Sequence, residues 1–331
     1  MVRWRARAAW LALILASAGA SAQHLSGADA AAQAYPAKSI RILVGFTPGG
    51  APDVTARVIA QKLTESWKQQ VIVENRPGAG GTVAAQILAN TAPDGYTLLS
   101  VTNSHAVSAS IYSKLAYDPI RDFAGITLTS TAPALLLVPH SLGVKSAREL
   151  IAMAKAKPGE LNFSSAGVGS AMHFQGELFN NMAGIRTVHV PMKGPPEALT
   201  ETMTGRVQFV ISPIGVAMSL VKEGKLAAIG VAAGERLPQL PDVPTITESG
   251  LPGYKTSNWS GFIAPVKTPR PVINKLNEEL RRILSTPEVK TSWAAIGAMP
   301  APISPTEFDR FIADEIETFM KIARSANIKA E

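Results

Sequence analysis

IRILVGFTPGGAPD, residues 40–53, joins an apolar run to a Pro-Gly-Gly turn and to a second proline placed where a helix begins. Ile40, Ile42, Val44 and Phe46 read as a largely buried strand that ends at Phe46, with Arg41 its one charge. The turn that follows is Thr47, Pro48, Gly49 and Gly50. Its two glycines remove the Cβ that would hold a ligand off the backbone, and Pro52 suits the first helical position. The unpaired N–H groups and positive dipole end of that helix form a natural seat for a carboxylate or phosphate.

Downstream, Ile59, Leu63 and Trp67 repeat every four residues and mark the buried stripe of a helix over 54–67. A strand over 71–74 leads into NRPGAGG, residues 75–81, where Gly80 sits in a second glycine-rich turn opening a helix. A third strand, 96–101, feeds a polar loop of Thr102, Asn103, Ser104 and His105. Strands and helices alternating at this pace predict a mostly parallel sheet with right-handed crossovers.

The apolar segment 132–139 reads as a strand leaving that sheet. Ser146 and Glu149 then form a capping box. Strand 161–165 contains Ser164 and Ser165 and runs into Ala166-Gly167-Val168-Gly169-Ser170, a third glycine-rich opening of a helix. Further strands are expected at 187–191, 207–212 and 226–231. Residues 250–265 read as an irregular aromatic return, followed by helices over 271–284 and 308–327, the latter capped by Ser304, Pro305 and Glu307. The predicted fold is therefore α/β and two-lobed. Residues 35–130 and 250–331 form the first lobe and 131–249 the second; two crossing strands join them around a cleft.

Ahead of the fold, Arg3, Arg5 and Arg7 precede an apolar core over 8–18 and the tripeptide Ala20-Ser21-Ala22. This is a signal-peptide pattern with cleavage after Ala22, its core of about 11 residues being short of the roughly 20 a spanning helix needs. Residues 23–34 read as a flexible leader. Removal of the signal takes three arginines and no acid, so the net charge of +7 becomes +4. The remaining lysines and arginines are scattered, without the basic stripe of a nucleic-acid binder. With no cysteine in the chain, disulfides and thiolate metal sites are excluded.

None of the glycine turns has the spacing of a dinucleotide or P-loop fingerprint, and the sequence holds no G-x-S-x-G elbow and no H-E-x-x-H. No metal site, cofactor or catalytic set is expected. Ser164, Ser165 and Ser170 read either as caps or, with Gly167 and Gly169, as a second anion seat. His173 reads as a half-buried residue bonded to backbone or as a ligand contact. Asp53 either complements the helix dipole or meets an amine on the ligand. Arg76 pairs with Glu74 or Asp53, while Lys193, on the VPMKG turn, is placed to reach a distal carboxylate.

Five motifs in order, FTPGGAPDVTAR (46–57), VIVENRPGAGGTVAAQ (71–86), PDGYTLL (93–99), VPMKG (190–194) and LPDVPTITESGLPGY (240–254), resemble the Bug-type extracytoplasmic solute receptors of tripartite tricarboxylate transporters. The likeness runs from Tyr35 to Ile328. It implies a periplasmic, type II "Venus flytrap" binding protein that holds a small organic acid through backbone groups and ordered water. The expected ligand contacts are Phe46, Thr47, Pro48, Gly49, Gly50, Asp53, Gly80, Asn103, Ser164, Ser165, Gly167, Gly169, Ser170, His173 and Lys193. The implied partners are the acid and the membrane permease subunits; the receptor itself is expected to be monomeric, with no nucleic acid. Where many members have Tyr, Pro and Asp, this chain has Met192, Glu197 and Gln208, so no single substrate carries over. Two other readings stand beside the receptor: a sensor docking on a membrane signalling protein, and a secreted hydrolase of acids or esters.

Overall fold

The computed structural model describes residues 34–329, so the expected signal peptide and nearly all of the expected leader lie outside the described residues. The chain begins with β1 (Ile40–Val44), α1 (Ala51–Trp67), β2 (Val71–Asn75), α2 (Thr82–Ala89), β3 (Thr97–Thr102), α3 (Asn103–Ile111) and β4 (Phe123–Ala132). It continues through β5 (Ala134–Val138), α4 (Ala147–Ala156), β6 (Asn162–Ser165), α5 (Ala171–Ala183), β7 (Val188–Pro191), α6 (Pro195–Met203), β8 (Phe209–Pro213), α7 (Ile214–Lys222) and β9 (Ala227–Val231). It ends with β10 (Asn258–Pro265), α8 (Arg270–Leu284), α9 (Pro287–Ala295), β11 (Met299–Pro300) and α10 (Pro305–Ser325).

These strands form two sheets, ordered β11-β4-β10-β3-β1-β2 and β7-β6-β8-β5-β9. In the first, β1 to β4 share one direction and β10 and β11 oppose it. In the second, only β5 opposes the other four. The chain is thus an α/β protein, but each sheet is mixed and not mostly parallel as expected: three of the five neighbouring strand pairs in the first and two of the four in the second are antiparallel, because the crossing strands β4, β10 and β5 enter against their neighbours. It passes from the first sheet to the second where β4 becomes β5 across the single residue Pro133, and comes back in β10.

Alternation along the strands builds a core on each face of each sheet. Ile40, Ile42 and Val44 pack under α1 and α8, whereas Leu43 faces α2 and α10. In β5, Leu135 and Leu137 face one way and Leu136 and Val138 the other. Such strands are buried on both faces, as sheets covered by helices on both sides require.

Several boundaries differ from the reading of the sequence. The first strand stops at Val44, before Phe46, and the polar loop at Thr102 is the start of α3, with the Thr102 hydroxyl accepting from the Ser104 N–H at 3.3 Å. Two central strands, β4 and β10, lie where no strand or an irregular return was expected. In β4 the buried residues Thr127 and Thr129 meet their hydrogen-bonding needs through the carbonyls of Ile303 and Ser260. Long-range partners of that kind leave no mark in local sequence. Ser146 caps α4 as expected, but Glu149 reaches the Lys145 N–H instead of closing the box; the full reciprocal box occurs at Ser304 and Glu307.

Candidate functional site

Because β2, β1 and β3 are parallel neighbours, the turns that follow them emerge at one edge of the first sheet. This carboxyl edge is where ligands sit in open α/β sheets. The first turn, Thr47 to Gly50, is exposed, and Phe46 packs partly into the core beneath it. Gly49 has φ of 86°, a left-handed conformation that a Cβ would strain. Gly45 is fixed by crowding: a Cβ there would lie 2.6 Å from the Gly81 Cα of the second turn. The first and second turns therefore touch backbone to backbone, and Gly80 lies against Ser108 of α3.

Asp53 is 2 % exposed and fully occupied. Its carboxylate accepts the Gly49 N–H at 2.9 Å, two Arg57 N–H groups at 2.9 and 3.0 Å, and the Asn75 amide at 2.8 Å. The Arg57 hydrogen bonds, helped by Gly49 and Asn75, pull its pKa down to about 2 against the cost of burial. Asn75 also donates to the Phe46 carbonyl at 3.0 Å. Asp53 thus shapes the turn from inside, and Arg76 pairs with Glu74.

Asn103 is likewise buried and engaged. Its amide donates to the Ser257 carbonyl at 3.0 Å and accepts from the Trp259 N–H at 2.8 Å, which ties the start of α3 to the returning strand. Between Phe46, Ser100, Ser104 and Ser108 lies a void of about 10 Å³, near the least that holds one water molecule.

The second lobe repeats the arrangement with β7, β6 and β8, whose following turns again share an edge. Ser164 points inward, where its hydroxyl meets the Ala198 carbonyl and Thr202 Oγ1 at 3.1 Å each. Ser165 holds the next turn: its Oγ lies 3.1 Å from the Gly167 nitrogen, whose N–H it accepts, and 2.6 Å from His189 Nε2. Ser170 caps α5 by accepting the His173 N–H at 3.2 Å. The Gly169 N–H donates to His173 Nδ1 at 3.2 Å, which places the His173 proton on Nε2, 3.9 Å from Glu177. His173 and His189 stack with centroids 3.7 Å apart, and Phe163 continues the stack beyond His189. Burial lowers the pKa of His173 to about 3, with His189 adding to the effect, and that of His189 to about 4. Both rings are neutral near pH 7. Lys193 is exposed on the neighbouring turn, where its N–H donates to Glu197 at 2.9 Å.

The structure gathers the expected residues into one cluster per lobe. Ser164, Asp53 and Asn103 serve as internal fastenings of those clusters, while the exposed turn 47–50 and the half-exposed turn 166–170 carry the accessible backbone. The lobes meet where Ile111, at the end of α3, sits 3.1 Å from the Cβ position of Gly169, and where Phe174 packs edge-on to Phe319 at 4.9 Å. Since α3 starts at Asn103, it runs from the first cluster to the second. His189, Arg57, Asn75 and Ile111 were not picked out from the sequence. Only the four-residue spacing of Asp53 and Arg57 on one helix face could have flagged any of them.

Among the described residues no helix is long and apolar enough to cross a membrane, and no group of three or more His, Cys, Asp or Glu could hold a metal. Residues 55–328 match the model of the family described as tripartite tricarboxylate transporter family receptor. BugT of Bordetella pertussis is 33 % identical over 96 % of this chain and 97 % of its own length. An R. palustris protein solved with adipate is 34 % identical, with a TM-score of 0.74 over 89 % of this chain and 99 % of that one. MatC from Rhodopseudomonas palustris, solved with bound malate, is 33 % identical, with a TM-score of 0.70 over 87 % and 99 %.

Proposed function

The chain belongs to the tripartite tricarboxylate transporter receptor family, a family of solute receptors and not of enzymes, and from that premise we propose that it captures a small organic acid between its lobes in the periplasm. One observation carries the reading. Each lobe presents, at the carboxyl edge of three parallel strands, an accessible glycine turn that opens directly into a helix: residues 47–50 into α1 and 166–170 into α5. Such termini direct N–H groups and partial positive charge at whatever lies before them.

An acid touching both turns gains more contacts when the lobes are closed, and that difference in affinity shifts the population toward closure. Each charge-assisted bond contributes about 1.5–3 kcal/mol, so two to four of them reach micromolar affinity after ordering costs. The malate and adipate held by two relatives support a ligand with a carboxylate at each end. Ligand contacts come from Thr47, Gly50 and Ser170, with Lys193 available to a distal carboxylate; Gly167 and Gly169, whose N–H groups are taken by Ser165 and His173, shape the second turn. The loaded receptor, a monomer, delivers the acid to the permease subunits of its transporter.

A thermal-shift series on the mature chain with malate, adipate, tricarboxylates, aromatic acids and amino acids tests this. Saturable stabilisation by at least one carboxylate is expected, near 2.7 kcal/mol at a hundredfold excess over Kd. Stabilisation by none of them, or turnover of the bound acid, overturns the reading. Recovery of permease subunits from membranes on the ligand-loaded protein tests the delivery step.

A further inference from the structure

A second space separates the lobes on the other side of the crossing strand. In the first sheet β4 has β10, β3 and β1 on one flank and β11 on the other, so the glycine turn after β1 belongs to the first flank. A cavity of about 420 Å³ lies on the β11 flank, backed by Pro133. The second lobe contributes Ile214, Met218 and Lys222 of α7, and the first contributes Lys290 and Ala294 of α9 and the strand end at Met299. The lobes touch at its margin, where Gly215 lies against the Ile296 carbonyl.

The chemistry of this wall is specific in three respects. It is mainly apolar, with Ile214 and Ala298 almost fully buried. No acidic and no aromatic residue lines it. Its two charges, Lys222 and Lys290, come from opposite lobes, are exposed, and form no ion pair with any described residue. Two ammonium groups beside an apolar wall gain from an anion placed near them, while their aliphatic stems extend the apolar surface. The volume is that of a small-molecule pocket, and without an aromatic platform it suits an aliphatic body better than a stacked base.

We propose that this hinge-side cavity is a second ligand site, which takes an amphipathic monocarboxylate with its alkyl chain against Ile214, Met218 and Ala294 and its carboxylate at Lys222 and Lys290. The site is separate from the glycine turns and does not depend on which acid they hold. Because each lobe supplies one lysine, an occupant bridges the two lobes from behind the crossing strand.

Calorimetric titration of the full protein with octanoate tests the proposal. Saturable binding is expected. It weakens at least tenfold in the double variant Lys222→Ala/Lys290→Ala, disappears in Ala294→Trp, which fills the space, and persists in Gly50→Val, which obstructs the first glycine turn. Octanol, lacking the charge, binds at least tenfold more weakly than octanoate. The proposal is overturned if octanoate does not saturate, if octanol binds equally well, if the lysine variant keeps full affinity, or if Gly50→Val loses binding. The last result would place octanoate at the glycine turns. Should Ala294→Trp fail to fold, the exposed lysine pair decides alone. The dicarboxylate thermal shifts are a separate measurement, so the failure of one reading is distinguishable from the failure of the other.

Discussion

The imidazoles of His173 and His189 lie face to face, 3.7 Å between centroids and 8° from parallel, directly beneath the 166–170 turn. One ring accepts the Gly169 N–H, and the other is 2.6 Å from the Ser165 hydroxyl that holds Gly167. The pair therefore fixes both ends of a turn that is otherwise free at the surface.

This pairing predicts how stability changes in acid. Both folded pKa values are depressed, to about 3 and about 4, whereas an unfolded histidine titrates near 6.5. Below that value the unfolded chain binds protons that the native pair refuses, so the stability present above about pH 6.5 is lost as the pH falls toward 4. In His189→Phe, which keeps the stack on Phe163, the melting temperature should fall less steeply between pH 6.5 and 4. An unchanged slope would remove the stack as its origin.

Asp53 predicts a different acid limb. Its folded pKa of about 2 lies below that of an unfolded carboxyl, near 3.9, so its contribution is complete above about pH 4 and disappears toward pH 2. Asp53→Asn should cost about 2 kcal/mol near neutral pH, the worth of a charge-assisted bond to Arg57. Carboxylate affinity should fall as well, because the Gly49 N–H loses its anionic acceptor. Denaturant unfolding and calorimetry check the two effects; wild-type stability in the variant would refute the cradle.

Gly45 and Gly50 lie five residues apart and should respond to a Cβ to very different extents. A Cβ on Gly45 meets the backbone of Gly81 at 2.6 Å, so Gly45→Ala should destabilise by about 1–3 kcal/mol and loosen both turns. Gly50 has φ of −74°, and an added Cβ keeps 3.7 Å from its nearest neighbour, so Gly50→Ala should cost less, about 0.5–1 kcal/mol, the difference between Gly and Ala as a helix cap. Equal melting temperatures for the two variants would contradict the contact between turns.

Ser170→Ala removes the cap of α5. Stability should fall by about 1 kcal/mol. If the hydroxyl also meets the ligand, carboxylate affinity drops about fivefold or more beyond that, measured at saturating stability by calorimetry. An unchanged Kd would leave Ser170 a cap alone.

Much of this was legible because its causes are local. The apolar run of β1, the glycines and Pro52 before α1, and the Ser170 cap before α5 are each set by residues within a few positions. What escaped the sequence depends on distant partners. Thr127 and Thr129 make β4 look too polar for a central strand until Ile303 and Ser260 are beside them. Ser164 and Asn103 look like free donors until Ala198, Thr202, Ser257 and Trp259 claim them. The histidine pair, sixteen residues apart in the chain, is joined only because β7 lies next to β6 and α5 covers β6.

Asn103 grips the chain at Ser257 and again at Trp259, so the strand returning from the second lobe is pinned by the same helix that begins beside the first turn cluster. Extra residues upstream have room only at exposed stretches such as 234–236. A single residue added between 257 and 259 would slide the whole homeward strand out of step with β3 and β4 and unseat α3 with it. The returning strand and the start of α3 therefore tolerate a change of length only together.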